Sequence, residues 1–422
     1  MRQARHSIAA TLAFLLILWN AAATIGVSFQ MQLGNPSGAT ADPGNHHHYL
    51  IQRAVEALDY SDTLGEPVWA SWDLTAGDVG NASRSSTYFP DTNLPPAFYR
   101  ITTTDYNGVG NINFNRGHLC PSEDRTDSRQ DNDSVFFMTN IMPQSALNNQ
   151  GVWGNFESYC RTLTGANELL IMCGPSGFGT STIPSGKAHI GSNVWKIVVV
   201  VPLGSGTALS RLTSTSRVIS ISVPNVTTGL SSAWQTYLTS AHQIELDTGL
   251  SFFSAAPASI AATYRAKVDG APAPLVQGFL PAKADIGASV AIVGSNLVSV
   301  SAVMFNGTSA VFSIISTNRL TATVPAGATT GPVSVITSGG AAVSTGVFVV
   351  AAPPPNLSAT LTNLNAVAVS WPATGSGFVL EQTADLKKGW GIVTNVIRLD
   401  GMRYHVVVPI SSAARFFRLV AP

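Results

Sequence analysis

Two continuous apolar runs constrain this chain more than any other feature. They are "NELLIMCG", residues 167–174, and "VWKIVVVVPL", residues 194–203. Runs of this length and make-up belong to central strands buried within a sheet. Around them the pattern is mixed. "FYRITTTDY" and "SVFFMTNI" are rich in aromatic and β-branched residues and read as further strands. "LNNQGVWGNFESYCRTL" places Val152, Trp153, Phe156, Tyr159 and Cys160 at a helical period, and "SAWQTYLTSAHQIELDTGL" reads as a late helix. Residues 49–269 are therefore expected to form an α+β domain.

The pattern changes at "GAPAPLVQG", a Pro-rich link. Residues 273–350 hold short alternating runs such as "ASVAIVGSNL", "RLTATVPAGA" and "GPVSVITSGG", spaced by Gly, Asn and Pro turns. That spacing predicts a small antiparallel β-sandwich. A second link, "AAPPPN", leads to residues 356–422, where "VAVSWPA", "GFVLEQTA" and "YHVVVPI" predict a small all-β module. Neither region gathers acids, histidines or nucleophiles in a way that suggests chemistry. A chain of 422 residues suits such a multidomain division.

The first 23 residues read as a signal peptide. Arg2 and Arg5 precede the apolar run "IAATLAFLLILW", and Ala21 and Ala23 occupy the small positions that a signal peptidase needs. The run is short for a spanning helix, and no other stretch looks transmembrane. The expected destination is secreted or periplasmic, with the cell surface as a third, and no membrane contact after cleavage. The alternative is retention of the segment as an anchor. Residues 24–48, mostly small and polar, are read as a flexible leader, with His46, His47 and His48 solvated rather than holding a metal. Export permits a disulfide between two of Cys120, Cys160 and Cys173, and the sequence leaves the pairing open.

Chemistry concentrates between residues 113 and 157. "NFNRGHLCPSEDR" carries Arg116 and His118; Asn140, Asn149 and Glu157 follow within forty residues. On one helix, Asn149, Trp153 and Glu157 are spaced i, i+4 and i+8, so the amide and the carboxylate serve one locus. These groups suit phosphodiester hydrolysis. His118 titrates near neutral pH and can take a proton from water. Asn149 offers an oxygen ligand to Mg²⁺, a cation that keeps several waters, with Mn²⁺ as the substitute. Glu157 can accept hydrogen bonds from those waters. Arg116 and Arg84 can hold phosphate oxygens. A thiol nucleophile at Cys120 would need a lowered pKa that nothing in the sequence supplies.

"FNRGHLCPSEDRTDS", "FFMTNIMPQ", "LNNQGVWGNFE" and "LLIMCGP", in this order, resemble the DNA/RNA non-specific endonuclease family, with its ββα-metal, His-Me finger core. The likeness spans residues 49–269. It implies a general base at His118, a metal ligand at Asn149, and site roles for Glu157, Asn140 and Arg116. By a looser alignment it adds a phosphate contact at Arg84. It also implies a metal-dependent endonuclease that cuts DNA and RNA to leave 5′-phosphate ends. The chain departs from the pattern at Asn115, where the family carries Asp. Residues 273–350 resemble an IPT/TIG module, an immunoglobulin-like fold. The fold class expected is thus multidomain: an α+β ββα-metal nuclease domain, an immunoglobulin-like β-sandwich and a small all-β C-terminal module.

Charge limits the mode of action. Formal net charge is zero, and residues 48–265 carry 12 Lys and Arg against 17 Asp and Glu, a net charge of −5. Such a surface disfavours a static grip on a polyanion and suits a local cationic site that releases product. Backbone contacts with little sequence preference are expected. A rival from another class is a surface binding or adhesion protein, its nuclease fold impaired by Asn115, whose β modules bind an unidentified ligand.

Overall fold

The computed structural model describes residues 29–351, 355–362, 365–373, 377–409 and 415–420. The segment read as a signal peptide lies outside the described residues. The chain divides into two compact units, one running to Ala273 and including Ile336–Ala341, the other made of Pro274–Val335 and the chain from Ala342 onward. Among the described residues no helix is long and apolar enough to cross a membrane.

The first unit is built on a seven-stranded antiparallel sheet. Its strands are β1 (Tyr49–Gln52), β2 (Ala57–Ser61), β3 (Glu66–Leu74), β6 (Asn167–Thr182), β7 (His189–Pro202), β8 (Arg217–Pro224) and β9 (Leu238–Thr239), in that spatial order. The two apolar runs are the heart of β6 and β7, paired Met172 to Ile197 and Cys173 to Lys196. Alternation divides their side chains between two cores. Leu169, Ile171, Cys173, Val194 and Val198 join Trp72, Trp153 and Phe156 on one face. Leu170, Met172, Trp195, Ile197 and Val199 join Trp69, Phe252 and Tyr264 on the other. Both faces are covered, which is why the runs are continuously apolar.

The first face carries a two-stranded ribbon of β4 (Phe114–His118) and β5 (Ile141–Ser145), together with helix α2 (Gly154–Leu163). The second is covered in part by the short α3 (Ala208–Arg211), by α4 (Ala241–Thr248) and by α5 (Ala258–Ala266), while α1 (Arg129–Ser134) lies between β4 and β5 in the chain.

The segment read as a flexible leader is, from Phe29 onward, part of this unit. Met31, Leu33 and Ala39 are buried in the second core. Gln30 accepts a hydrogen bond from the Asp73 amide at 2.8 Å. The three histidines remain open to solvent and each has one side-chain contact: His46 meets Asp62 at 2.8 Å, His47 meets Thr63 at 3.0 Å and His48 meets Asp59 at 2.7 Å. Few apolar residues suffice here because they complete the cover of a sheet face that α4 and α5 already protect in part.

Three local expectations are corrected. "FYRITTTDY" forms turns, not a strand, because the Asp105 carboxylate accepts from the Thr102 amide and hydroxyl, both at 2.8 Å, and closes the chain on itself. "SVFFMTNI" is a turn and a 3-10 segment, Met138–Asn140, before β5 starts at Ile141. The late helix is shorter than its pattern. Ser240 caps α4 by accepting from the Gln243 amide, and Gly249, at φ 75°, ends it.

The second unit contains two β modules. In the first, Leu275–Leu280, Ser289–Ser295, Arg319–Thr323 and Phe312–Ser316 form one sheet. Lys283–Ala284, Gly340–Val350, Gly331–Thr337, Ala302–Phe305 and Thr308–Ser309 form another. Val290, Ile292, Phe305, Leu320, Val333 and Phe348 fill the core of this immunoglobulin-like sandwich. The C-terminal module has a four-stranded and a three-stranded sheet around Val369, Trp371, Leu380, Val406 and Val408.

Candidate active site

The β4–β5 ribbon sets the site. Its register pairs His118 with Ile141, Gly117 with Met142 and Asn115 with Gln144. A Cβ on Gly117 would stand 2.6 Å from Cβ of Gln144 and 2.2 Å from its Oε1, so the residue before His118 must be glycine. Gln144 is fixed in turn by donating to Asn148 Oδ1 at 2.9 Å, and Asn148 donates to the Pro224 carbonyl at 3.0 Å.

Asn140 holds the chain just beyond His118. Its Oδ1 accepts from the Cys120 amide at 3.0 Å, and its Nδ2 donates to the carbonyls of Cys120 and Val135 at 2.9 and 2.8 Å. The side chain is fully buried and does not line the cleft described next. Among the sequence-predicted site residues it is thus placed behind the cleft, where it holds the chain that follows His118.

One cleft of about 600 Å³ gathers the other candidates. Arg84, Asn115, Arg116, His118, Asn149 and Glu157 all line it, with Tyr88 and Arg161. Asn149 and Glu157 reach it by a different route from the one the spacing implied. Asn148–Trp153 is a π-helical turn with Gly151 at φ −103° and ψ −108°, and α2 begins only at Gly154. Trp153 packs into the core, while the residues four before and four after it face the cleft.

His118 is buried against aromatic rings. Its ring centroid lies 4.6 Å from that of Phe136 and 5.6 Å from that of Tyr88. Arg84 stacks over Phe136 at 5.0 Å and Arg116 over Tyr88 at 4.5 Å. Among the described residues no carboxylate pairs with either guanidinium. Burial, then the positive charges of Arg84 and Arg116, push the imidazole down to about 3. The ring is thus neutral in the absence of an anion. Nε2 is sealed from solvent without a protein partner, and so is Nδ2 of Asn115.

Sequence reasoning missed two residues. Arg161 lies at i+4 from Glu157, so the same helical spacing pointed to it. It is clamped by Asp124 at 2.9 Å and by Glu123, and its guanidinium lies at the cleft wall. Lys196, a lone ammonium inside an apolar run, meets Glu157 Oε1 at 3.0 Å. Burial pushes the Glu157 carboxyl up; Lys196 and Arg161 oppose the shift, and Asp124 adds to it.

The residues fit a hard divalent cation. Such an ion keeps most of its waters and asks for one or two oxygens on one wall of an open site. Asn149 and Glu157 provide an amide and a carboxylate there. Among the described residues, no group of three or more His, Cys, Asp or Glu forms an all-protein cage. All three cysteines are free and buried, so the disulfide that export permits is absent. Burial pushes the Cys120 thiol well above its ordinary value, which removes it as a nucleophile.

Comparison with known proteins gives two family matches and several relatives. Residues 33–259 match the model of the DNA/RNA non-specific endonuclease family, and residues 274–350 match that of the IPT/TIG domain. A nuclease of Nostoc sp. is 38% identical over 58% of this chain and 87% of its own length. Mitochondrial nuclease EXOG of Xenopus laevis is 30% identical over 47% of this chain and 56% of its own length. Mitochondrial endonuclease G of Bos taurus is 32% identical over 33% of this chain and 46% of its own length.

Proposed function

The chain belongs to the DNA/RNA non-specific endonuclease family, and from that premise we propose that it is an exported, Mg²⁺-dependent enzyme cutting DNA and RNA to 5′-phosphate ends. The observation that carries this reading is one cleft holding a neutral imidazole, unpaired guanidiniums, an amide and a carboxylate. Mn²⁺ is the alternative ion.

Arg84 and Arg116 bind the phosphodiester oxygens through their free faces, and Arg161 lies within the same wall. The anion offsets the positive charge around His118 and raises its basicity when substrate is present. A base must reach its water. Nε2 is sealed from solvent, so Nδ1 is the nitrogen that takes the proton. The hydroxide so formed attacks phosphorus, the bond from phosphorus to O3′ breaks, and O3′ takes a proton from water. Asn149 and Glu157 would hold the cation, the former directly and the latter through its waters. When bound, the cation supplies charge stabilisation for the departing oxygen. Contacts confined to phosphates carry no sequence information, so the cut is non-specific.

Export rests on the N-terminal sequence pattern. The test is degradation of plasmid DNA and of RNA with Mg²⁺ and with chelator, followed by end analysis. Cutting that survives chelator, or 3′-phosphate ends, overturns the reading.

A further inference from the structure

A second cavity, of about 520 Å³, is lined by Phe89 and Phe137 and by the face of α1 that carries Arg129, Gln130, Asp133 and Ser134. The two phenyl rings are half-buried, with centroids 6.1 Å apart and planes at 55°. Phe137 is held in place by Arg53, whose guanidinium lies 4.7 Å from its ring centre and donates to Glu56 and to Thr139, both at 2.7 Å. Arg129 donates to Asp133 at 2.9 Å and to Ser85 Oγ at 3.3 Å.

The cavity adjoins the candidate active site at two places. Ser85, which Arg129 touches, follows Arg84 of the cleft wall. Phe89 and Phe137 follow Tyr88 and Phe136, the two rings packed against His118. The Phe89 amide donates to the Phe136 carbonyl at 3.0 Å, and the Met138 amide donates to the Phe89 carbonyl at 2.8 Å. Successive side chains of extended backbone alternate in direction. This bridge therefore turns one pair of rings to His118 and the next pair to the cavity. Resting on the proposed phosphate role of Arg84, we propose that the cavity is a nucleobase subsite, which takes one unpaired base of the strand whose phosphodiester is held at the cleft.

The lining selects this occupant. The rings supply a flat apolar surface, and every base has an aromatic face, so stacking there adds affinity without reading sequence. Asp133 neutralises Arg129, so the cavity offers no net charge to a second phosphate. Gln130 is exposed at its edge, and its amide can donate to or accept from the rim of any base. A base inside a duplex is already paired and stacked, and extruding it costs that energy. The subsite therefore favours single-stranded substrate over duplex.

The test uses the full chain and three decamers: single-stranded DNA, the same strand in a duplex, and a single strand with every base replaced by an abasic residue. Phe89→Leu and Phe137→Leu each remove a ring and keep an apolar side chain. Ser134→Trp fills the cavity from α1 and serves if those variants fail to fold. Each should lower kcat/KM on the single strand about tenfold, within the worth of one stacked base. On the duplex and on the abasic strand the change should be less than about twofold. Equal losses on all three substrates, or no loss on the single strand, overturn the inference. A second readout needs no cutting. With chelator present, a single strand carrying 2-aminopurine should lose fluorescence on binding the unaltered chain, and the two Leu variants should restore it. Binding without quenching, or quenching that both Leu variants retain, overturns the inference. If the unaltered chain quenches the probe and cuts no decamer with Mg²⁺, the proposed function fails and the subsite stands; absence of binding overturns both.

Discussion

The imidazole of His118 meets the ring of Phe136 edge-on, with centroids 4.6 Å apart and planes at 74°, while Arg84 covers the same phenyl ring. The aromatic ring thus links the proposed base and the proposed phosphate-binding cation in one packed unit. Nε2 of the same imidazole is buried without a partner, so the neutral state of His118 is tied to stability as well as to its proposed role.

The first prediction concerns pH. With its imidazole held down to about 3, His118 stays neutral in the free enzyme well below the usual histidine range. The profile of kcat/KM should show no histidine inflection between about pH 6 and 8. The stability consequence has a definite sign. The unfolded chain takes up a proton near pH 6.5 while the folded chain does not. The stability tied to the neutral ring is therefore complete above that pH and is lost as pH falls toward about 3. Urea unfolding from pH 8 to 4 checks this, with His118→Leu expected to flatten the slope. A wild-type inflection at 6.5 would contradict the burial described.

His118→Ala should retain the fold and lose about 10² to 10⁴ in rate, the usual worth of a general base. Plasmid nicking, with circular dichroism as the folding control, measures it. More than a tenth of the activity remaining would make the histidine a packing residue.

Asn149→Ala should move the Mg²⁺ dependence of cleavage to higher concentration with little change in melting temperature, since the side chain is half-buried and lines the cleft. Titrating the metal against rate decides it; a superimposable curve places the cation elsewhere.

Asn115→Asp removes an unpartnered buried donor and puts a negative charge into the cleft of Arg84, Arg116 and His118. It should raise the His118 pKa and strengthen cation binding. Equal or higher activity is expected at limiting Mg²⁺, with the acid limb moved up. A clear loss at every metal concentration would mean that the site is built around the amide.

The N-terminal segment provides a test of the fold. A nuclease fragment that begins at Tyr49 uncovers the second core where Met31, Leu33 and Ala39 pack. It also leaves buried Asp59 without Ser37 and His48, its partners at 2.6 and 2.7 Å. Each lost hydrogen bond to a charged group costs about 1.5–3 kcal/mol. A fragment beginning at Phe29 should melt well above one beginning at Tyr49; equal melting would make the segment dispensable.

What the sequence determined on its own was local and periodic. The runs at β6 and β7 identified their own burial, because a strand covered on both faces leaves few positions for polar side chains. The short Gly- and Pro-punctuated strands after residue 273 likewise declared a sandwich. Most of the site was legible too. Arg84, Arg116, His118, Asn149 and Glu157 share a cleft because two adjoining elements, β4 and the π turn leading into α2, carry most of them. Tertiary structure decided what depended on partners distant along the chain. Asn140 is spent on the backbone of Cys120, twenty residues away, and no pattern of residue types distinguishes a staple from a catalytic amide. The polar N-terminal segment is ordered because a sheet face formed far downstream accepts it. Lys196 owes its place to Glu157, 39 positions earlier: burial of a charge is settled by what folding brings against it, and periodicity carries no information about that.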